Sequence, residues 1–294
     1  MKLIRISVPI LFTVLFFTQC REPEKKEEAV PEETKPQRPP APSWKKPSQE
    51  ISYQKVGAKQ WFKKQKDSLN AQQQKIVMTA NRTDLANISA MDSILLPNDL
   101  SGDVVYYQPF PLDVKGLEDI SKIIFFSYPS QTFGAYEYGH LVYAGATNMG
   151  RKKDPTPAGL YFTNWKAEKT TSTFNDEWEL KWNFNIENKE GIGWHQYAMP
   201  GYPASHSCLR LFEDDAQYLY KWADEWKLKG TDSVVLKGTP VIVFGDYPFD
   251  GPKPWLSLVG NAHALDIKAT ELEGLVGQHK GEIMEAQKKR EGMK

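Results

Sequence analysis

Cys208 stands two residues after His206 and thirteen after His195, and Arg210 follows it by two. A thiol is a strong nucleophile only as its thiolate, and a neighbouring imidazole can take the proton. The stretch from His195 to Arg210 holds two of the five histidines and the one interior cysteine. Pro200-Gly201-Tyr202-Pro203 turns the chain before Ser205-His206-Ser207-Cys208, and a helix expected after the cysteine offers an N-terminus that favours the thiolate. Two other readings compete. A lone cysteine is commonly inert packing. Two histidines and a cysteine also suit zinc, although paired Cys-x-x-Cys or His-x-x-x-His spacing is missing and Glu213 and Asp214 complete no convincing set.

Those residues need a scaffold, and the flanking sequence predicts a mainly β one. Ile123 to Phe126, Thr132 to Tyr136, Leu141 to Ala144, Gly159 to Thr163, Trp178 to Trp182 and Pro240 to Phe244 are short branched and aromatic runs between turn residues. Asp214 to Trp226 carries Ala216, Leu219, Tyr220 and Ala223 at helical spacing, with Asp214 or Asp215 as cap. The expected division is 51–115 as a small α-rich region, 116–250 as a β-sandwich or barrel with a helix after Cys208, and 251–294 as a charged helical extension that frays at its end. Within the first of these, Gln72 to Ala80 reads as a helix, Asp84 as a cap and Ile94 to Pro97 as a strand. The stretch from Ala80 to Pro97 resembles the latter part of a lysin motif, a small peptidoglycan-binding unit.

Lys+Arg and Asp+Glu both number 37, so no basic excess points to nucleic acid. The nine tryptophans and thirteen tyrosines read mainly as packing residues. Residues 1–20 combine Lys2 and Arg5 with an apolar run from Ile6 to Phe17 and end at Cys20. That run is short for a membrane span and suits a signal peptide. An apolar run finishing at a cysteine resembles a bacterial lipoprotein signal, which implies a lipid on Cys20 and an exported, periplasmic, membrane-tethered protein. Phe17 and Gln19 depart from that pattern, and an ordinary signal peptide or uncleaved anchor is the alternative. Residues 21–50 are dense in Pro, Glu and Lys, the composition of a disordered spacer.

Ser205-His206-Ser207-Cys208-Leu209-Arg210 is similar to the signature of the L,D-transpeptidase catalytic domain, an upstream histidine followed by Ser-His-Gly-Cys-aliphatic-Arg. Phe133 to Val142, Thr156-Pro157-Ala158-Gly159-Leu160-Tyr161 and Gly238-Thr239-Pro240-Val241 resemble further segments of that family in the right order. The resemblance implies a cysteine-dependent acyltransferase, working without metal or organic cofactor on peptidoglycan stem peptides, with carbapenem-type inhibitors as ligands. Cys208 would be the nucleophile and His195 its base, oriented through the carbonyl of Gln196. His206, Ser207 and Cys208 would lend N–H groups to the oxyanion, and Arg210 would hold a substrate carboxylate or brace the loop. Ser207 replaces the family's glycine, so a left-handed backbone there would cost roughly 1–2 kcal/mol. The implied function is transfer of a stem-peptide acyl group from Cys208 to an amine. An L,D-carboxypeptidase, a wall-protein-releasing amidase and a catalytically weak wall-binding lipoprotein are the alternatives.

Overall fold

A computed structural model describes residues 38–172 and 179–293. The signal segment, Cys20 and the spacer up to residue 37 lie outside the described residues, as does Trp178, the first residue of the strand expected over 178–182.

Two open sheets form the main body. One has the order β5-β4-β3-β13-β6, from β3 (Ile123–Ser127), β4 (Thr132–Glu137), β5 (His140–Ala146), β6 (Gly159–Phe162) and β13 (Pro240–Phe244). The other has the order β10-β9-β8-β7, from β7 (Lys166–Thr171), β8 (Glu179–Glu187), β9 (Ile192–Gln196) and β10 (Leu209–Leu211). Most neighbours are antiparallel; β13 with β3 and β10 with β9 are parallel. β11 (Lys227–Lys229) and β12 (Ser233–Leu236) make a separate small hairpin. The fold is mainly β. The choice left between sandwich and barrel falls to the sandwich, because neither sheet closes on itself.

Side chains alternate across a strand, so a sheet buried on both faces reads as an unbroken apolar run. The run Ile123-Ile124-Phe125-Phe126 shows this directly. Ile124 and Phe126 join Phe133, Phe184, Trp194, Leu209 and Leu211 between the two sheets, with Ala216 and Leu219 of α4 (Glu213–Trp222). Ile123 and Phe125 face the other way, onto Leu272 and Val276 of α5 (Ala269–Gly277) and Ile283 of α6 (Lys280–Glu291). The charged tail is therefore no appendage. Its few apolar residues cover the second face of the larger sheet.

The N-terminal region runs β1 (Tyr53–Gly57), α1 (Ala58–Gln65), α2 (Ala71–Asn81), α3 (Leu85–Ile88) and β2 (Ser93–Pro97), and β1 pairs antiparallel with β2. Asn70 and Gln73 form a capping box at the start of α2. Arg82 ends that helix in the left-handed conformation, φ 53°. Asp84 caps α3, as its sequence position predicts, by accepting from the Asn87 N–H at 2.9 Å.

Two expectations change. Residues 38–50, read as part of a disordered spacer, run along the body and bond to it. Arg38 Nε donates to Tyr138 O at 2.7 Å, Trp44 Nε1 to Leu141 O at 3.3 Å, and the Lys45 and Asp103 segments exchange two bonds. Composition missed this because one tryptophan and a few N–H groups suffice to anchor a proline-rich strand whose prolines carry no donor to satisfy. Helix α4 also starts differently from expectation. Phe212 occupies the cap position without a side-chain bond, and Glu213, Asp214 and Asp215 sit inside the first turn, where carboxylates complement the helix dipole.

Candidate active site

Strands β9 and β10 lie side by side with Arg210 opposite His195, so the thirteen-residue spacing to Cys208 is an excursion out of one strand and back into its neighbour. Gly193 makes the tight approach of β9 to β8 possible, since a Cβ there would lie 2.5 Å from Phe184 O. Trp194 packs inward at full burial and turns His195 to the opposite face.

The loop between the strands is held from three sides. The N-terminal region grips its start: Asp84 N donates to Met199 O at 3.1 Å, Met199 N to Asp84 Oδ2 at 2.8 Å, and Thr83 Oγ1 to Met199 O at 2.9 Å. Asn148 spans its middle, accepting from Ala204 N at 3.1 Å through Oδ1 while its amide bonds Tyr202 O. At the end, Ser205 Oγ donates to Cys208 O at 2.5 Å and Thr156 Oγ1 to Ser207 O at 2.9 Å.

His195, His206, Cys208 and Arg210 line one small groove together with Ser172, Leu180 and Tyr197. Its volume of about 20 Å³ admits roughly one water. His195 is buried, and its Nδ1 lies 3.0 Å from Gln196 O. A carbonyl only accepts, so that bond fixes the proton on Nδ1 and leaves Nε2 with a lone pair. Burial lowers the His195 pKa to about 4, against a smaller opposing effect of the Gln196 carbonyl. Cys208 is likewise desolvated, which raises its thiol above the usual range, while the Gly193 N–H and Arg210 act the other way. Its Sγ donates to Gly191 O at 3.7 Å. Burial thus favours the neutral form of both groups, against the thiolate expected from sequence. The helix expected to help is too remote: β10 and Phe212 separate Cys208 from the first turn of α4, and a helix dipole acts over about one turn.

Ser207 sits at φ 74°, the left-handed region that a glycine would occupy freely. Its Oγ reaches Asp154 O at 3.4 Å, so its side chain lies beneath the loop and outside the groove lining. His206 Nε2 is 3.9 Å from Asp154 Oδ2. Arg210 packs its guanidinium 4.6 Å over the Tyr197 ring and donates to Ala198 O and Ala204 O at 3.4 and 3.3 Å. Tyr197, Asn148, Asp154 and Thr156 contribute to the site without having been singled out as site residues. Tyr197 follows His195 by two, just past the end of β9, and its ring lies 5.8 Å from the His195 ring. Among the described residues, no three His, Cys, Asp or Glu side chains converge as metal ligands would.

A thiol and an imidazole thus share one groove beside the β10 edge of the smaller sheet. The family model described as the L,D-transpeptidase catalytic domain, YkuD, matches residues 121–243, the segment that carries this groove. Solved structures also match. An L,D-transpeptidase from Stackebrandtia nassauensis is 23% identical, with 44% of this chain and 58% of that chain covered and a TM-score of 0.36. One from Mycobacterium tuberculosis is 22% identical over 43% and 58%, with a TM-score of 0.33. An L,D-transpeptidase solved in complex with imipenem is 16% identical over 42% and 59%, with a TM-score of 0.35. The chain spans a little over half the length of these structures. No curated protein matches it.

Proposed function

We propose that the protein is a peptidoglycan L,D-transpeptidase working through a thioester on Cys208. The observation that carries this reading is the convergence of Cys208, His195 and Arg210 on one groove inside the matched segment.

Sγ attacks the carbonyl carbon of the third residue of a stem tetrapeptide as Nε2 of His195 takes the thiol proton. The oxyanion that forms is held by the N–H groups of His206, Ser207 and Cys208. The C–N bond to the terminal D-alanine then breaks, and the imidazolium returns its proton to the leaving amine. A thioester and neutral His195 remain. An amine from the third residue of a neighbouring stem, or from an anchored protein, gives its proton to Nε2 and attacks the thioester, which restores the thiol. A neutral resting pair suits this cycle, because the proton moves only as the new bond forms. The bonds of Arg210 to two loop carbonyls support a bracing role over direct substrate contact. No cofactor takes part.

Such chemistry lies outside the cytoplasmic membrane, with a lipid on Cys20 as tether. The strand–helices–strand order of residues 53–97, closed by β1 against β2, supports a lysin-motif-like wall-binding unit. Incubation with a stem tetrapeptide or a carbapenem should add the acyl mass to the wild-type protein and nothing to Cys208→Ala. An adduct that persists in Cys208→Ala overturns the nucleophile assignment. A trimmed stem with no cross-link in the products assigns water as the acceptor and overturns transfer to an amine.

A further inference from the structure

Met199 stands on the excursion between β9 and β10, four residues after His195 and nine before Cys208. Its side chain is fully buried beside Ala146 and Phe212. Its backbone is held from outside the matched segment 121–243. Met199 O accepts from Asp84 N, Thr83 Oγ1 and Asn87 Nδ2 at 3.1, 2.9 and 3.3 Å, and Met199 N donates to Asp84 Oδ2 at 2.8 Å. Thr83 also forms an antiparallel bridge with Pro200, and Gly201, at φ 78°, turns the loop close to Asn81 O and Thr83.

The Asp84 carboxylate divides its two oxygens between two tasks. Oδ1 accepts from the Asn87 N–H at 2.9 Å and caps α3, whereas Oδ2 accepts from Met199 N and, at 3.0 Å, from Asn87 Nδ2. A cap needs one oxygen only, and the second makes a charge-assisted bond to the loop, stronger than a neutral one. From Met199 the loop passes to Ala204, bonded to Asn148, and to Ser205, whose Oγ donates to Cys208 O. Arg210 reaches back to Ala198 O beside Met199.

We propose that Asp84 is a positioning residue for the Cys208 groove: through Met199 it holds the loop that sets Cys208 against His195. It acts from the N-terminal region and touches neither side chain of the pair.

Asp84→Ser separates the two tasks, because serine caps about as well as aspartate but brings no second oxygen to Met199 N. Cys208 of this variant should react with iodoacetamide at least about threefold faster than wild type, since a loosened loop opens a groove of about 20 Å³. Acylation by a carbapenem or stem tetrapeptide should instead slow at least about tenfold, because it needs the aligned pair. Thr83→Val leaves Met199 O two donors and spares the fold; it should move both rates the same ways, by about twofold. Asn70→Ala breaks the capping box of α2 away from the loop, and should lower the melting temperature by about 2–4 °C with both rates unchanged. Wild-type alkylation in Asp84→Ser, an equal acceleration in Asn70→Ala, or acylation that speeds up together with alkylation would each overturn the positioning role. The acylation arm rests on the transpeptidase reading and the alkylation arm does not. A wild-type protein that alkylates but is never acylated overturns that reading alone, and alkylation then decides the role of Asp84.

Discussion

Cys208 and Asp215 are seven residues apart, at the two ends of β10 and the turn into α4, yet their surroundings treat charge in opposite ways. The groove around Cys208 keeps its ionisable pair uncharged, with the thiol raised and the imidazole lowered by burial. The junction around Asp215 gathers charge in the interior. Asp215 is fully buried, its Oδ1 lies 2.7 Å from Lys75 Nζ and accepts from Tyr143 OH at 2.9 Å, and Gly145 leaves room beside Oδ2. Lys75 also reaches Asp214 Oδ1 at 2.7 Å and stacks 4.5 Å over the Phe212 ring. Lys75 belongs to α2 and Tyr143 to β5, so this cluster fastens the N-terminal region to the two-sheet body. The contrast separates a groove that keeps its titratable groups neutral from a junction that holds charge in the interior.

The sharpest way to break that contrast is Lys75→Met. It leaves Asp215 buried without its cation, a change that costs about 3–5 kcal/mol. Urea unfolding should show that loss, and the double variant Lys75→Met/Asp215→Asn should recover most of it, because a neutral pair carries no desolvation penalty. A single variant within about 1 kcal/mol of wild type means that Lys75 does not hold the junction.

The next effect is in pH, and there the two regions oppose each other. Burial raises Asp215 from 3.8 to about 6, so its contribution to stability is whole below pH about 4 and is lost as pH rises through about 6. His195 is lowered from 6.5 to about 4, so its contribution is whole above pH about 6.5 and is lost as pH falls through about 4. Each displacement corresponds to on the order of 3 kcal/mol, and the windows overlap. Wild-type stability should therefore change little between pH 4 and 6.5 from these two groups. Asp215→Asn should grow more stable as pH rises through that range, and His195→Gln should grow less stable. Parallel slopes for both variants in thermal melts would remove the opposition.

The same contrast explains what could be read from the sequence. Most of the groove is legible because its polar residues fall within sixteen positions of the chain: His195, Gln196 and the Ser205–Arg210 run form one pattern, and parallel pairing of two adjacent strands brings them together. The junction draws on Lys75, Tyr143 and Asp215, and no spacing rule joins residues so far apart. The apolar strands β3, β4, β5 and β13 are legible from composition. β7, with the sequence Lys-Ala-Glu-Lys-Thr-Thr, is not, because an edge strand of mixed polarity lacks the apolar alternation that marks one. β1 was equally hidden, since its Tyr53 is its one buried residue and its pairing with β2 spans three helices. The alternatives left open at Arg210 narrow only once its two carbonyl partners are known.

The smallest expected effect belongs to Ser207 and concerns backbone alone. A left-handed conformation costs a side-chain-bearing residue about 1–2 kcal/mol, and glycine gives back about 0.5–1 kcal/mol of that in unfolded-chain entropy. Ser207→Gly should therefore stabilise the protein by up to about 1 kcal/mol. Ser207→Ala keeps the Cβ and its strain while losing only the long bond to Asp154 O, so it should match wild type or fall slightly below it. The order Gly above Ser above Ala in melting temperature assigns the effect to φ and not to the hydroxyl. If alanine instead melts above glycine, the loop does not store strain at residue 207.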